Sequence, residues 1–168
     1  MEIDAYIALG SNLGDRELNL LRAVAELAKV PKSRVTALSS FYETSPVGNV
    51  NQDAFYNAVL RLSTGLDART LLTHLLRIED ETFKRVRTIH QGPRRMDLDL
   101  LLCGDSTISE ADLIVPHPRL SERLFVLQPL CEIAPDLVHP LTGKSVQELL
   151  DSLKSDETVV KLVSGKQL

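Results

Sequence analysis

The order of apolar patterns along the chain restricts its fold more than any other feature. The stretch "DAYIALGSN" has the alternation of a strand and ends in a turn at Gly10. A helix is predicted from Asp15, a suitable N-cap, because apolar residues then recur at three- and four-residue spacing: Leu18, Leu21, Val24, Ala25 and Ala28. Two β-rich stretches follow, "SRVTALSSFYETS" and "AFYNAVLRLST". A second helix is predicted from Asp67 to about Thr82, and "MDLDLLL" is a fourth predicted strand.

The order strand, helix, strand, strand, helix, strand predicts a ferredoxin-like βαββαβ core. This is an α+β fold, an antiparallel sheet with helices packed on it. The core should span about residues 3–103, and residues 104–168 should be C-terminal additions. These comprise a loop through "IVPHPRL", an apolar segment "RLFVLQPL", a short helix "SVQELLDSL" and a possible edge strand in "TVVKLV". A single domain over residues 1–168 is expected.

Composition excludes several classes of partner. The net charge of −4 and the pI of about 5.6 argue against a nucleic-acid binder. No stretch approaches the length of about eighteen apolar residues that a membrane span requires. Cys103 and Cys131 stand among apolar neighbours without metal-ligand spacing, which favours reduced thiols in a cytoplasmic protein. A monomer is expected because no exposed apolar face stands out.

The stretch "HQGPRRMDLDLLLCG" carries the clearest chemical signal. Asp97 and Asp99 lie two residues apart on a predicted strand, so both side chains point to one face. A basic loop precedes them, with Lys84, Arg85, Arg87, His90, Arg94 and Arg95. Charge pattern alone leaves two interpretations open. The arginines could pair with the aspartates in a solvated loop, or they could bind phosphate oxygens while the carboxylates hold Mg²⁺.

Three further side chains are ambiguous from position alone. Glu79 lies on the apolar face of the second predicted helix, where it either contacts a ligand or marks a fraying helix end. His117, between two prolines, is either a turn residue or a phosphate ligand. Asn57 shares a strand face with Phe55, and an amide beside an aromatic ring can recognise a flat heterocycle. An amide satisfied by backbone is the commoner alternative for a single Asn.

Six ordered motifs together resemble the 6-hydroxymethyl-7,8-dihydropterin pyrophosphokinase family. They are "YIALGSNLGDR", "SSFYETSPVG", "FYNAV", "RVR", "GPRRMDLDLLL" and "VPHPRLSERLFVLQPLCEIAP", and the match runs in order from about residue 5 to residue 150. The resemblance implies a ferredoxin-like fold. It also implies transfer of pyrophosphate from ATP to the hydroxymethyl group of a reduced pterin, with release of AMP, in folate biosynthesis.

The resemblance also implies roles for individual residues. Asp97 and Asp99 would ligate two Mg²⁺ ions, and with Arg85 and Arg94 they form the expected catalytic set. ATP would be bound by Glu79, Arg85, Arg87, Arg94, Leu100, His117 and Arg123. The pterin would be bound by Thr44, Ser45, Val47, Phe55, Asn57 and Phe125, with the two phenylalanines on either side of its ring. The chain departs from the family pattern at His90-Gln91, where arginine and tryptophan are usual, and at Ser45, where proline is frequent.

Two other function classes remain to be separated from this one. A non-enzymatic binding module on the same fold would not need the carboxylate pair beside the arginine loop. Another Mg²⁺-dependent phosphoryl or nucleotidyl transferase would release ADP or pyrophosphate instead of AMP.

Overall fold

A computed structural model describes residues 1–45, 53–84 and 95–162 of the chain. In these ranges the chain forms eight strands and four α-helices. The strands are β1 (Ile3–Ser11), β2 (Ser33–Leu38), β3 (Tyr42–Thr44), β4 (Phe55–Thr64), β5 (Asp97–Cys103), β6 (Ile108–Glu110), β7 (Leu113–Val115) and β8 (Val159–Lys161). The helices are α1 (Arg16–Leu27), α2 (Ala68–Arg77), α3 (Leu124–Ile133) and α4 (Val146–Ser152). A π-helical turn (Ile78–Thr82) continues α2, and a 3₁₀ turn (Leu120–Glu122) precedes α3.

The first two helices begin at the aspartates that the sequence indicated. The Asp15 carboxylate accepts a hydrogen bond from the Leu18 N–H at 3.1 Å, and Asp67 accepts one from the Thr70 N–H at 2.8 Å. Each bond satisfies an amide that the first helical turn leaves without a partner.

One antiparallel sheet organises the described residues. Its strand order is β5-β1-β4-β3-β8, and β2 also pairs with β4, beside β3. The strands that correspond to the predicted core therefore lie in the ferredoxin-like order, and the predicted fold class is confirmed.

Helices cover both faces of this sheet. On one face, α1 and α2 bury the alternate residues Ala5, Ile7 and Leu9 of β1. The first core cluster consists of these residues and of buried residues on both helices, among them Leu20, Leu27, Leu71 and Leu75. On the other face, α3 and α4 pack against Tyr6 and Val59. The second core cluster consists of these residues and of buried residues on both helices, among them Val126, Leu130, Val146 and Leu149. The C-terminal additions thus supply a second helical layer, because the face opposite α1 and α2 is also apolar over much of its length.

Several local predictions need correction. The second predicted strand is interrupted between β2 and β3, because the Ser39 hydroxyl accepts the Val59 N–H at 2.9 Å and Glu132 accepts the Ser40 N–H at 3.0 Å. The predicted loop through "IVPHPRL" is wrong at its start, where β7 forms a hairpin with β6. The apolar segment "RLFVLQPL" lies in α3 apart from its first residue, and the edge strand in "TVVKLV" is confirmed as β8.

The predicted apolar face of α1 is also partly wrong. Its buried residues include Leu20, Ala23 and Leu27, whereas Leu18 is 50% exposed. Within the described ranges, no helix is both long and apolar enough to cross a membrane.

Candidate active site

The two aspartates lie on the sheet face that α3 covers. Asp97 pairs with Gly10 of β1, and Asp99 pairs with Ala8. Both aspartates are half-buried, and the intervening Leu98 is buried in the first core cluster on the opposite face. The alternation of β5 therefore places both carboxylates on one face, as the sequence predicts.

Gly10 connects the carboxylates to a second group of polar side chains. It pairs with Asp97 on one side and with Asn57 of β4 on the other. Asn57 and Asp97 therefore share a face, about 10 Å apart across two strand spacings. A Cβ atom at Gly10 would lie 3.0 Å from Asn57 Nδ2 and 3.6 Å from Phe55 Cδ1. The glycine thus leaves space between the carboxylates and the amide that any other residue would fill.

Two buried polar atoms on this face have no hydrogen-bond partner within the part of the chain that the structure describes. They are Thr44 Oγ1 and Asn57 Oδ1. Thr44 pairs with Phe55 and lies on the same face as Asn57, since β3 and β4 are antiparallel neighbours. An unsatisfied buried polar group costs about 1–3 kcal/mol, so native proteins rarely retain one without a reason. A ligand that presents hydrogen-bond donors would satisfy both oxygen atoms.

The beginning of α3 contributes two predicted site residues. The Arg123 guanidinium lies 5.5 Å from the centroid of the Phe125 ring, a cation–π distance. Phe125 is half-buried and packs at the edge of the second core cluster, to which Ala8 of β1 also contributes. Phe125 therefore belongs to the helical layer above the carboxylate face, whereas Phe55 belongs to the sheet itself.

His117 follows a cis Val115–Pro116 peptide bond and is tied to β5 by its backbone. Its N–H donates to the Leu101 carbonyl at 2.9 Å, and its Nδ1 accepts the Arg119 N–H at 3.1 Å. Burial, then the charges of Arg123 and Arg119, lower the pKa of His117 to about 4. The imidazole is therefore neutral at pH 7, and because Nδ1 is an acceptor, the proton resides on Nε2.

Glu79 and Leu100 lie apart from this face. The Glu79 carboxylate is 2% exposed, and its Oε2 accepts the Leu98 N–H at 2.7 Å. The alternative that Glu79 marks a fraying helix end is therefore wrong. The Leu100 side chain is buried in the first core cluster, opposite Asp97 and Asp99, so the structure does not bring it to the carboxylate face.

Several of the predicted site residues are not among those that the structure describes. Val47, Arg85, Arg87 and Arg94 lie outside the described residues, as do His90 and Gln91. Ser45 is described: its N–H donates to the Thr158 carbonyl at 3.2 Å, next to the β3–β8 pairing. Gly10 was not predicted as a site residue, although its place at the end of a strand and before a turn was visible in the sequence.

The carboxylate pair is compatible with Mg²⁺. Among the described residues there is no cluster of three or more His, Cys, Asp or Glu side chains that could enclose a metal ion. Mg²⁺ does not need one, because it is commonly held by one or two carboxylates together with water and substrate phosphates. Two half-buried carboxylates on one face fit this type of site.

Comparison with known proteins identifies the family. Residues 6–135 match the model of a family described as 7,8-dihydro-6-hydroxymethylpterin-pyrophosphokinase. The chain belongs to this pyrophosphokinase family. The prediction of a pyrophosphokinase with a role in folate biosynthesis is therefore confirmed at the level of the family.

The chain covers nearly the whole length of some of its relatives and only a small part of others. A 2-amino-4-hydroxy-6-hydroxymethyldihydropteridine pyrophosphokinase of Bacillus subtilis is 46% identical over 144 residues, which cover 86% of each protein. A protein of the same description from Methylorubrum extorquens is 44% identical, over 89% of this chain and 92% of that protein. The folic acid synthesis protein fol1 of Pneumocystis carinii is 43% identical over 88% of this chain, but the chain spans only 20% of its length.

The fold has solved counterparts. The crystal structure of wild-type Plasmodium falciparum HPPK-DHPS matches with a TM-score of 0.68 at 16% identity, over 89% of this chain and 43% of that one. At this identity the similarity shows the fold alone. It agrees with the sheet and helical layers described above.

Proposed function

We propose that this chain transfers pyrophosphate from ATP to the hydroxymethyl group of 6-hydroxymethyl-7,8-dihydropterin and releases AMP. One observation supports this most strongly. A single sheet face carries a carboxylate pair at one side and two unsatisfied buried oxygen atoms at the other, separated only by Gly10. Such a face has room for a metal–phosphate group next to a polar heterocycle.

The pterin belongs at the Thr44 and Asn57 end. A pterin ring carries an amino group and ring N–H groups, and these donors match the two oxygen atoms that lack partners. Phe55 and Phe125 provide apolar surfaces in the sheet and in the helical layer, where a flat ring can stack. Ser45 follows Thr44 directly and Val47 comes two residues later, and both are assigned to the pterin as the family resemblance implies.

The nucleotide belongs at the carboxylate end. His117 can donate its Nε2–H to a phosphate oxygen, and the Arg123 guanidinium supplies a permanent positive charge beside it. Arg85, Arg87 and Arg94 are assigned to the triphosphate because guanidinium groups match phosphate geometry. Glu79 and Leu100 are assigned to the adenosine end, where the backbone of β5 would make most of the contact because both side chains are buried.

Asp97 and Asp99 would hold two Mg²⁺ ions. Bound there, Mg²⁺ would neutralise phosphate charge and make the pterin hydroxyl a better nucleophile. The donor set favours this metal because both ligands are hard carboxylate oxygens.

The protein groups act by positioning and electrostatics. The hydroxymethyl oxygen forms a bond to the β-phosphorus, and the bond from that phosphorus to the oxygen bridging to the α-phosphorus breaks. AMP leaves with the bonding electrons, and the proton of the hydroxymethyl group passes to solvent. Arg85 and Arg94 would stabilise the charge that grows on the bridging oxygen, and no covalent enzyme intermediate is required.

We further propose that the chain acts as a monomer of one domain over residues 1–168, in the cytoplasm, without nucleic-acid or membrane partners. Its net charge of −4 and its free cysteines, Cys103 and Cys131, support this setting.

The test is a product assay with Mg²⁺, ATP and 6-hydroxymethyl-7,8-dihydropterin, in which adenine nucleotides are followed by chromatography. AMP that appears only when the pterin is present is the expected result. ADP would instead indicate a kinase, and free pyrophosphate would indicate a nucleotidyl transferase. An Asp105→Ala variant, which removes an exposed carboxylate just beyond β5, is the control for Asp97→Ala and should keep full activity.

A further inference from the structure

The C-terminal segment, residues 155–162, lies beside both walls of the proposed pterin pocket. Its strand β8 pairs antiparallel with β3, so that Val159 lies opposite Thr44. The Ser45 N–H donates to the Thr158 carbonyl at 3.2 Å and extends this pairing by one residue. The segment lies beyond residues 6–135, the stretch that matches the family, and the family resemblance assigns it no role.

Glu157 connects the same segment to α3. Its Oε1 accepts the N–H of Leu124, the first residue of α3, at 3.4 Å. The residue at the N-cap position, Arg123, makes no side-chain capping bond, so Glu157 takes the place of a local cap. The bond is long, and the attraction between the carboxylate and the positive end of the helix dipole adds to it.

The burial of Glu157 indicates more than a surface contact. Its second oxygen, Oε2, is buried and has no hydrogen-bond partner among the described residues. Desolvating a carboxylate oxygen without a partner costs stability. Glu157 is therefore partly enclosed against the start of α3 and is not a fully solvated surface side chain.

The other end of α3 is fixed to the same strand region. Glu132 accepts the Ser40 N–H at 3.0 Å and the Tyr42 hydroxyl at 2.7 Å. Burial alone would raise the pKa of Glu132, but the hydrogen bonds from Tyr42 and Ser40 lower it on balance. The C-terminal end of α3 is thus held to β3 directly, while its N-terminal end is held through Glu157.

We propose that Glu157 is a positioning residue that fixes the start of α3, and with it Phe125, relative to Thr44 on β3. This inference rests on the proposed function, because it assigns Phe125 and Thr44 to opposite walls of one pterin pocket. Glu157 itself does not touch the substrate. Its removal should therefore weaken pterin binding by loosening one wall, while the nucleophile and the leaving group stay the same.

The test compares three variants. Glu157→Ala should raise the pterin Kd about fivefold, which corresponds to roughly 1 kcal/mol. Glu157→Gln keeps an acceptor oxygen but loses the charge, so its pterin Kd should lie between those of Glu157→Ala and the wild type. Asp67→Ala removes a comparable cap from α2, on the opposite sheet face, and should leave the pterin Kd unchanged. Pterin Kd is measured by fluorescence titration with a non-hydrolysable ATP analogue present.

A second readout does not depend on the substrate. Amide hydrogen exchange at residues 124–127 should accelerate in Glu157→Ala and not in Asp67→Ala. An unchanged pterin Kd in Glu157→Ala, or an equal increase in Asp67→Ala, would overturn the proposal. A wild-type protein that binds no pterin would overturn the proposed function, and the exchange data would still show whether Glu157 holds the helix start.

Discussion

Replacing Thr44 with valine should stabilise the fold and weaken pterin binding at the same time. Thr44 is 2% exposed, and its Oγ1 has no hydrogen-bond partner among the described residues. Valine has nearly the same shape, with a methyl group in place of the hydroxyl. The substitution therefore removes an unsatisfied polar atom without opening a cavity.

The two effects can be estimated separately. A buried hydroxyl without a partner costs about 1–3 kcal/mol, and the lower limit gives a gain of roughly 1 kcal/mol in the free energy of unfolding. In a chain of this size, that gain raises Tm by about 2–4 °C. If the same hydroxyl binds the pterin, losing that bond should raise the pterin Kd by roughly tenfold, which corresponds to about 1.4 kcal/mol.

Thr64 provides a matched control in the same sheet. It is 0% exposed, but its Oγ1 accepts the Leu66 N–H at 3.0 Å and lies 2.6 Å from the Ser33 hydroxyl. Thr64→Val should therefore lower Tm by several degrees, because it leaves the Leu66 N–H without its partner. It lies at the other end of β4 from Phe55, so the pterin Kd should not change.

The assay combines thermal unfolding without ligands and fluorescence titration of the pterin, for both variants and the wild type. Opposite signs of the two Tm shifts, with a weaker pterin Kd only in Thr44→Val, are expected. A destabilised Thr44→Val would show that its hydroxyl is satisfied in the free protein. A stabilised Thr44→Val with an unchanged pterin Kd would remove Thr44 from the pterin pocket.

Four further substitutions test other parts of the site. Asp97→Ala should abolish AMP formation while Arg87→Ala mainly raises the ATP Kd; retained turnover in the first variant would refute the metal assignment. Gly10→Ala should raise the pterin Kd more than the ATP Kd, because its Cβ would lie 3.0 Å from Asn57 Nδ2, and equal effects on both ligands would contradict this. The pKa of His117 is lowered from 6.5 to about 4 in the folded protein, so the unfolded chain takes up this proton at a higher pH than the folded protein does. The free energy of unfolding therefore decreases as pH falls from about 6.5 towards 4. Between pH 7 and pH 5, the Tm of His117→Gln should fall less than the Tm of the wild type. An equal fall in both proteins would show that this histidine is not buried as a neutral ring.

The parts of the fold that could be predicted from sequence depend on local rules. Alternation identifies β5 and places Asp97 and Asp99 on one face, and the caps at Asp15 and Asp67 follow from the chemistry of a helix start. The prediction of which face of α1 is buried is partly wrong, because Leu18 and Leu20 both suit an amphipathic helix. Only the packing against the sheet decides between them.

The features that could not be predicted depend on pairs that lie far apart in the chain. The break between β2 and β3 involves Glu132, which is 92 residues away from Ser40. The close approach of Gly10 to Asn57 can be recognised only when the strand register is known, since the sequence around Gly10 indicates only a turn. Such contacts leave no local signal in the sequence, because neither partner is unusual among its neighbours in the chain.

Glu79 links the position of the carboxylate pair on β5 to the helical layer on the opposite sheet face. In the described part of the sheet, β5 is an outer strand, and an outer strand presents backbone N–H groups that no neighbouring strand accepts. The Leu98 N–H lies between the two aspartates in sequence, and Glu79 accepts it at 2.7 Å from the π-helical turn that continues α2. The position of the carboxylate pair is therefore held from both sides of β5, by its pairing with β1 and by a buried carboxylate of the opposite helical layer. An outer strand held in this way suits chemistry that depends on positioning, because less ordering of the carboxylates is needed when the substrates bind.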